Sequence, residues 1–153
     1  MRVYLVRHGE AAVSHDRPER SLTRRGRTET EKIAQFVGRL GARVWAIQHS
    51  GKLRARQTAE ILAESIESEE GLMAAEGLMP DDDLVTWSQE LASTPDDTML
   101  VGHLPFMSRL ASKLLAGDEA IGLFKFQPSS VLCLERTPED GWHALYFITP
   151  DLL

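Results

Sequence analysis

Short apolar runs that stop abruptly at polar residues punctuate this chain, and stretches with helical spacing lie between them. Val3, Tyr4, Leu5 and Val6 predict a buried strand that begins three residues into the chain and breaks off at Arg7-His8-Gly9. A polar loop over residues 15–21 follows. Thr23 is suited to cap a helix, and Ile33, Phe36, Val37 and Leu40 repeat at i, i+3, i+4 and i+7, a single buried stripe that stops near Gly41. Val44, Trp45, Ala46 and Ile47 predict a second short strand running into His49-Ser50-Gly51, and Ala55, Ala59, Leu62 and Ile66 a second amphipathic helix. Residues 67–81 are acidic and rich in Gly and Met, and read as irregular. Leu84, Trp87 and Leu91 predict a helix from about Asp82 to Ala92. Met99, Leu100 and Val101 form a third strand ending at Gly102-His103. Pro105 fits the first turn of the next helix, whose stripe is Met107, Leu110, Ala111 and Leu114. Two strands, about 130–136 and 142–149, close the chain around the turn Thr137–Gly141.

The order β-α-β-α-α-β-α-β-β predicts a three-layer α/β/α domain, its central sheet mainly parallel with an antiparallel edge at the carboxyl end. In a parallel sheet the carboxyl ends of strands lie on one side, where open α/β sheets bind ligands. Arg7-His8-Gly9, His49-Ser50-Gly51 leading to Arg54, and Gly102-His103 therefore converge on one rim. Gly9 is expected to let the chain turn and come close to a ligand there.

Composition narrows the class. At 153 residues the chain is long enough for one self-sufficient domain, and 42% hydrophobic with 26% charged residues is ordinary for a soluble protein. No apolar stretch approaches the roughly 20 residues that cross a bilayer, so no membrane association is expected. The opening Met1-Arg2-Val3-Tyr4 lacks the form of a secretory signal. The single cysteine, Cys133, sits among Val131, Leu132 and Leu134 as a core thiol, which with the missing signal points to the cytoplasm. No Cys/His cluster has zinc spacing. A net charge of −6 argues against nucleic acid as a partner, but it is unevenly spread. Residues 1–56 carry 13 of the 17 Lys and Arg against five acids, a front third of +8 ahead of a remainder of −14. That asymmetry suggests an anionic ligand held by the front third.

Two histidines and two arginines at one rim suit a phosphoryl group. Guanidinium forks match phosphate oxygens and keep their charge at any relevant pH. A neutral imidazole can act as nucleophile, and a second, protonated one can donate to a phosphate oxygen.

Arg7-His8-Gly9-Glu10-Ala11, Leu53-Arg54-Ala55-Arg56-Gln57-Thr58-Ala59 and Val101-Gly102-His103-Leu104-Pro105 resemble three ordered signatures of the histidine phosphatase superfamily. Leu22-Thr23 with Gly26 resembles a fourth, non-catalytic one. The short chain is most similar to the SixA branch of phosphohistidine phosphatases, over residues 2 to about 115. The resemblance implies a phosphoglycerate mutase-like fold and a phosphoenzyme formed on His8. It also implies a phosphate held by Arg7, Arg54 and His103, and no cofactor or metal. Many members protonate the leaving group with a carboxylate after the second helix. Glu76, in Glu76-Gly77-Leu78, is the first candidate for that acid and Asp82 the second. The run Asp81–Asp83 can equally cap a helix. Glu10 can be a loop carboxylate near arginine side chains, and His15, His49 and His143 read as surface or supporting groups. Ala11-Ala12-Val13 stands where mutase-like members carry Ser-x-x-Asn, which speaks against a phosphoglycerate substrate.

Only about 30 residues separate the second helix from the third strand, where larger relatives place a lid. A shallow, open site follows, one that suits a phosphorylated side chain on another protein. Phosphohistidine on a phosphorelay domain is the expected substrate. The alternative is a small-molecule phosphatase acting on sugar or other organic phosphates. A third reading, a silent phosphoprotein-binding module, is opposed by the intact set Arg7, His8, Arg54 and His103.

Overall fold

The computed structural model describes residues 1–13 and 19–153; the part of the polar loop at 14–18, with His15, lies outside them. In chain order the first half is β1 (Arg2–Arg7), α1 (Arg24–Arg39), β2 (Arg43–Val44), β3 (Ile47–His49), α2 (Leu53–Ala63), β4 (Glu67–Ser68) and β5 (Leu72–Ala74). The second half is α3 (Val85–Ser93), β6 (Thr98–Gly102), α4 (Phe106–Ala116), β7 (Val131–Thr137), β8 (Gly141–Ile148) and a 3-10 turn at Pro150–Leu152.

Strand β1 lies inside a six-stranded sheet ordered β5-β3-β6-β1-β7-β8. Side chains alternate across a strand, so Tyr4 and Val6 face one side and Val3 and Leu5 the other. On the Tyr4 side they meet Ile33 and Val37 of α1 and Ala55, Ala59 and Leu62 of α2. On the Val3 side they meet Trp87 and Leu91 of α3 and Phe106, Met107 and Leu110 of α4. Helices thus cover both faces, which is why the runs at 3–6 and 99–101 are apolar throughout instead of alternating. Strands β5, β3, β6 and β1 are parallel, while β7 and β8 are antiparallel to their neighbours. The architecture is the three-layer one expected. Among the described residues no helix is long and apolar enough to cross a membrane.

Four local expectations need correction. The apolar run at 44–47 is not one strand: Arg43–Val44 pairs with β4 in a separate two-stranded ladder, and only Ile47–His49 enters the main sheet. The chain changes sheets at Trp45, whose N–H donates to the Asp97 carbonyl. Residues 67–81 are not wholly irregular, since they contribute β4 and the edge strand β5. No residue of β5 is fully buried, so no apolar run marked it. α2 stops at Ala63, and Ile66 is buried from a turn in which Glu64, Ser65 and Ile66 donate back to Ile61 and Leu62. α3 starts at Val85, three residues late, because the Asp83 carboxylate takes the Val85 N–H at 2.8 Å.

The connectivity also locates the crevice. α1 leaves β1 toward one face and α4 leaves β6 toward the other, so the gap beyond the carboxyl ends of these adjacent strands is left uncovered by either helix. Open α/β sheets place their ligands at such a point.

Candidate active site

Register brings the polar strand ends together. Arg7 is paired with Gly102 in the parallel β1–β6 ladder, so His8 and His103 each lie one residue beyond a matched pair. The His8 N–H donates to the Gly102 carbonyl at 2.9 Å, and the two imidazole centroids are 5.0 Å apart. On the other flank of β6, His49 pairs with Val101, and the Ser50 N–H donates to the Val101 carbonyl. Ser50 therefore stands level with this pair, its Oγ 2.6 Å from His103 Nε2. α2 begins three residues later, and Arg54 in its first turn brings Nε to 3.3 Å from His8 Nε2. Thr58, one turn on, accepts the Gly9 N–H at 2.9 Å and donates to the Arg54 carbonyl at 2.8 Å, tying α2 to the loop that carries His8. Arg7 donates Nη1 to the Phe126 carbonyl at 2.8 Å, and its buried Nε has no partner among the described residues. Of the residues singled out from sequence, His8, Arg54 and His103 are thus in one cluster, with Arg7 directly behind His8 in β1.

The glycines explain how the loop is held. A Cβ on Gly9 would lie 2.8 Å from Thr30 Oγ1 and 3.1 Å from Ser129 Oγ, so the close approach demanded here is to α1 and the Ser129 loop. The expectation that Gly9 serves a sharp turn toward a ligand is corrected by that contact; Gly9 is not among the positive-φ residues. A Cβ on Gly26 would lie 2.2 Å from the Glu10 carbonyl oxygen. Thr23 Oγ1 accepts the Gly26 N–H at 2.9 Å as N-cap and donates to the Glu10 carboxylate at 2.6 Å. Leu22-Thr23 with Gly26 is accordingly a docking device that seats α1 on the loop that follows His8. The Glu10 carboxylate is held by Thr23, and its charge also acts on Arg25, as expected of a loop carboxylate near arginines.

Hydrogen bonding defines the His8 tautomer. Nδ1 is 2.7 Å from the Gly9 carbonyl, which can only accept, so Nδ1 carries the proton and Nε2 presents its lone pair. Burial lowers the His8 pKa to about 4; the Gly9 carbonyl opposes this, and the charges of Arg54, Arg7 and Arg20 reinforce it. His103 is only 1% exposed, and burial lowers its pKa to about 3, helped by His8, Arg54, Lys52 and Arg20. Both rings are neutral near pH 7. The expectation of a protonated second imidazole is corrected for the unliganded site, because cations surround a desolvated ring. Arg20, which sequence reasoning left in the polar loop, donates Nε to the Ala12 carbonyl at 3.1 Å and Nη2 to the Ala11 carbonyl at 3.4 Å. Its charge acts on Arg7, His8, Arg54 and His103 alike. Nothing in local pattern marked it, whereas Ser50 was visible as the polar end of a strand.

These shifts have a measurable sign. Unfolded histidines bind protons below about pH 6.5, while the folded rings refuse them until about pH 4 and 3. Between those limits the unfolded state holds more protons, so stability falls on acidification through that window and is unaffected above it. Urea denaturation at pH 7 and pH 5 should show a smaller acid loss for His8→Asn than for the parent. An NMR titration of the His8 Cε1 proton should have its midpoint near 4; a midpoint near 6.5 would contradict the buried, neutral assignment.

A cleft of about 830 Å³ adjoins the cluster, lined by Ser50, Ala75, Glu76, Met79, Asp82 and Thr86 among others. The short connection between α2 and β6 therefore builds a wall beside the site. Glu76 is exposed on that wall. Its backbone carbonyl accepts the Trp87 Nε1–H at 3.1 Å, and a Cβ on Gly77 would lie 3.2 Å from the same nitrogen, so the segment is pinned. Asp83 accepts the Val85 N–H at the start of α3, the capping role weighed for this run, whereas Asp82 accepts the Met79 N–H ahead of the helix. His49 is a buried acceptor for the Gly51 N–H at 3.1 Å, and His143 is exposed on the edge strand β8. A second groove, lined by Arg43, Trp45, Glu67 and Asp97, lies at the opposite end of the strands. Among the described residues, no three His, Cys, Asp or Glu side chains are grouped closely enough to hold a metal ion.

Comparison with known proteins bears on the family and the fold. Residues 3–77 match the sequence model of the histidine phosphatase superfamily, branch 1. An uncharacterized protein of a Picosynechococcus strain is 38% identical over 125 residues, 77% of this chain and 75% of that protein. The structure of the protein histidine phosphatase SixA complexed with tungstate superposes with a TM-score of 0.87 at 23% identity, covering 99% of both chains. A protein assigned as the phosphohistidine phosphatase SixA of Agrobacterium tumefaciens gives 0.80 at 26% identity over 97% of both. Phosphoserine phosphatase of Entamoeba histolytica, with 3-phosphoglyceric acid, shares the fold at a TM-score of 0.73 and 18% identity, covering 99% of both chains.

Proposed function

The chain belongs to the histidine phosphatase superfamily, and from that premise we propose a phosphatase that works through a phosphohistidine at His8 and acts on phosphohistidine carried by a protein. One observation carries the chemistry: the His8 Nε2 lone pair, fixed by the Nδ1–H bond to Gly9, faces Arg54 at 3.3 Å with His103 alongside. In the first step Nε2 attacks phosphorus in line with the leaving nitrogen. The substrate's P–N bond breaks, and its imidazole leaves with a proton taken from solvent. Arg54 turns from Nε2 to the phosphoryl oxygens, where Arg7 joins it, and their charge does the neutralising that a metal performs in other phosphatases. In the second step water attacks the phosphohistidine, the bond to Nε2 breaks, and phosphate leaves with His8 neutral again. A tetrahedral oxyanion bound to a relative of the same fold, the tungstate-complexed SixA, supports such a pocket.

Imidazole departs from phosphorus more readily than an alkoxide, so a protein phosphohistidine needs little acid help. A small organic phosphate would need more. That second reading has its own observation: the cleft beside His103 is roomy, and Glu76 lines it. Incubation with a histidine-phosphorylated relay domain should release phosphate rapidly, and Glu76→Gln should slow this by less than about threefold. If instead sugar or amino-acid phosphates turn over fast, the relay domain stays phosphorylated, and Glu76→Gln costs on the order of 10²-fold or more, the small-molecule reading replaces it.

A further inference from the structure

Ser50 has no role in the chemistry set out so far, yet it is 7% exposed and makes the shortest contact to His103, 2.6 Å from Oγ to Nε2. We infer that Ser50 is a positioning residue that locks His103 in its Nδ1–H tautomer, so that a neutral Nδ1–H is the donor offered to the transferring phosphoryl group. The case is one of hydrogen-bond completeness. Ser50 Oγ already accepts the Lys52 N–H at 3.4 Å. If its own proton goes to His103 Nε2, every polar capacity of the hydroxyl that the site addresses is used. The ring's remaining nitrogen, Nδ1, then carries the proton, and it is buried without a partner among the described residues. The opposite arrangement, with Nε2–H donating to Ser50, strands both the buried hydroxyl proton and an Nδ1 lone pair. Buried polar groups avoid being left unpaired, so the first arrangement is favoured.

The two rings then share a tautomer but expose opposite functions. His8 hides Nδ1–H against Gly9 and shows a lone pair. His103 hides its lone pair against Ser50 and shows a proton. An Nδ1 lone pair at His103 would instead repel the phosphoryl oxygens, so a tautomer error there removes a donor and adds a repulsion. The burial that keeps His103 uncharged makes this matter, since an imidazolium would have protons on both nitrogens and need no selection.

The role in turnover rests on the phosphatase reading above; the tautomer does not, and the two can fail separately. In nitrogen-15 NMR of the unliganded protein at pH 7, the His103 Nδ1 should be the protonated nitrogen, and in Ser50→Ala the proton should redistribute toward Nε2. Ser50→Ala should lower kcat by about tenfold or more, the effect of one lost hydrogen bond in the transition state, with KM changed less than threefold. Ser50→Thr, which keeps the hydroxyl, should recover most of kcat. A parent protein with its His103 proton on Nε2, or a Ser50→Ala variant with unchanged tautomer or unchanged kcat, overturns the inference. A parent protein that has the Nδ1–H tautomer but releases no phosphate from any substrate overturns the enzymatic reading and leaves the tautomer assignment standing.

Discussion

His8→Ala should leave a folded protein that takes up no phosphate and turns over on the order of 10⁴-fold or more slowly, because the group that receives the phosphoryl is gone and nothing beside it replaces a neutral nitrogen nucleophile. The substitution removes the acceptor of the Arg54 Nε–H and the donor to the Gly9 carbonyl, but leaves the backbone bond from residue 8 to Gly102 in place. Far-UV circular dichroism should therefore match the parent. The decisive measurement is a pulse of labelled phosphoryl donor followed by denaturation at alkaline pH, where phosphohistidine survives and can be counted. The parent should trap label on His8 and release it in acid. Persistent label in His8→Ala, or residual activity within tenfold of the parent, would place the covalent step elsewhere. A parent that binds phosphoprotein and never becomes labelled would revive the silent binding-module reading.

Gly26→Ala is the second large effect, and its sign is the informative part. At an ordinary interior helix position this change stabilises by up to about 1 kcal/mol, since Ala is the better helix former. Here the new Cβ would sit 2.2 Å from the Glu10 carbonyl oxygen and 3.0 Å from its carbonyl carbon and amide nitrogen, all backbone atoms that have no rotamer to escape into. Either α1 lifts or the loop after His8 retreats. A loss of about 3 kcal/mol is expected, the upper range for overpacking. Urea denaturation measures it, with the exposed Arg27→Ala as a control that should stay within about 0.5 kcal/mol of the parent. Activity should fall as well, because Gly9 lies against Thr30 of the same helix and the loop carries His8. A loss under about 1 kcal/mol would mean that the loop yields without cost and that α1 does not position the nucleophile.

Much of the architecture was legible because burial on two faces leaves a strong trace in one dimension. The runs at 3–6 and 99–101 became the central strands β1 and β6, and Ile33 and Val37 became the buried face of α1 with Thr23 as its cap, while Leu40, expected in the same stripe, is its exposed C-cap. What escaped was held by few apolar contacts. β5 is an edge strand of three residues, none fully buried, and β2 is a two-residue strand that leaves the main sheet. Such elements exist through backbone hydrogen bonds to neighbours far along the chain, and backbone groups are the same in every residue. Arg20 escaped for a related reason: its location depends on the carbonyls of Ala11 and Ala12.

The sequence by itself determined the inventory of the site, Arg7, His8, Arg54 and His103, and the end of the sheet on which they gather, because strand direction follows from the order of elements. Only the tertiary structure decided which nitrogen of each ring is free, that both rings are neutral, and that Ser50 and Arg20 belong with them. It also decided that Gly9 and Gly26 serve helix docking and that Glu10 answers to Thr23. Those properties arise from distances between groups dozens of residues apart and from the loss of water around them. Neither is a property of any residue alone.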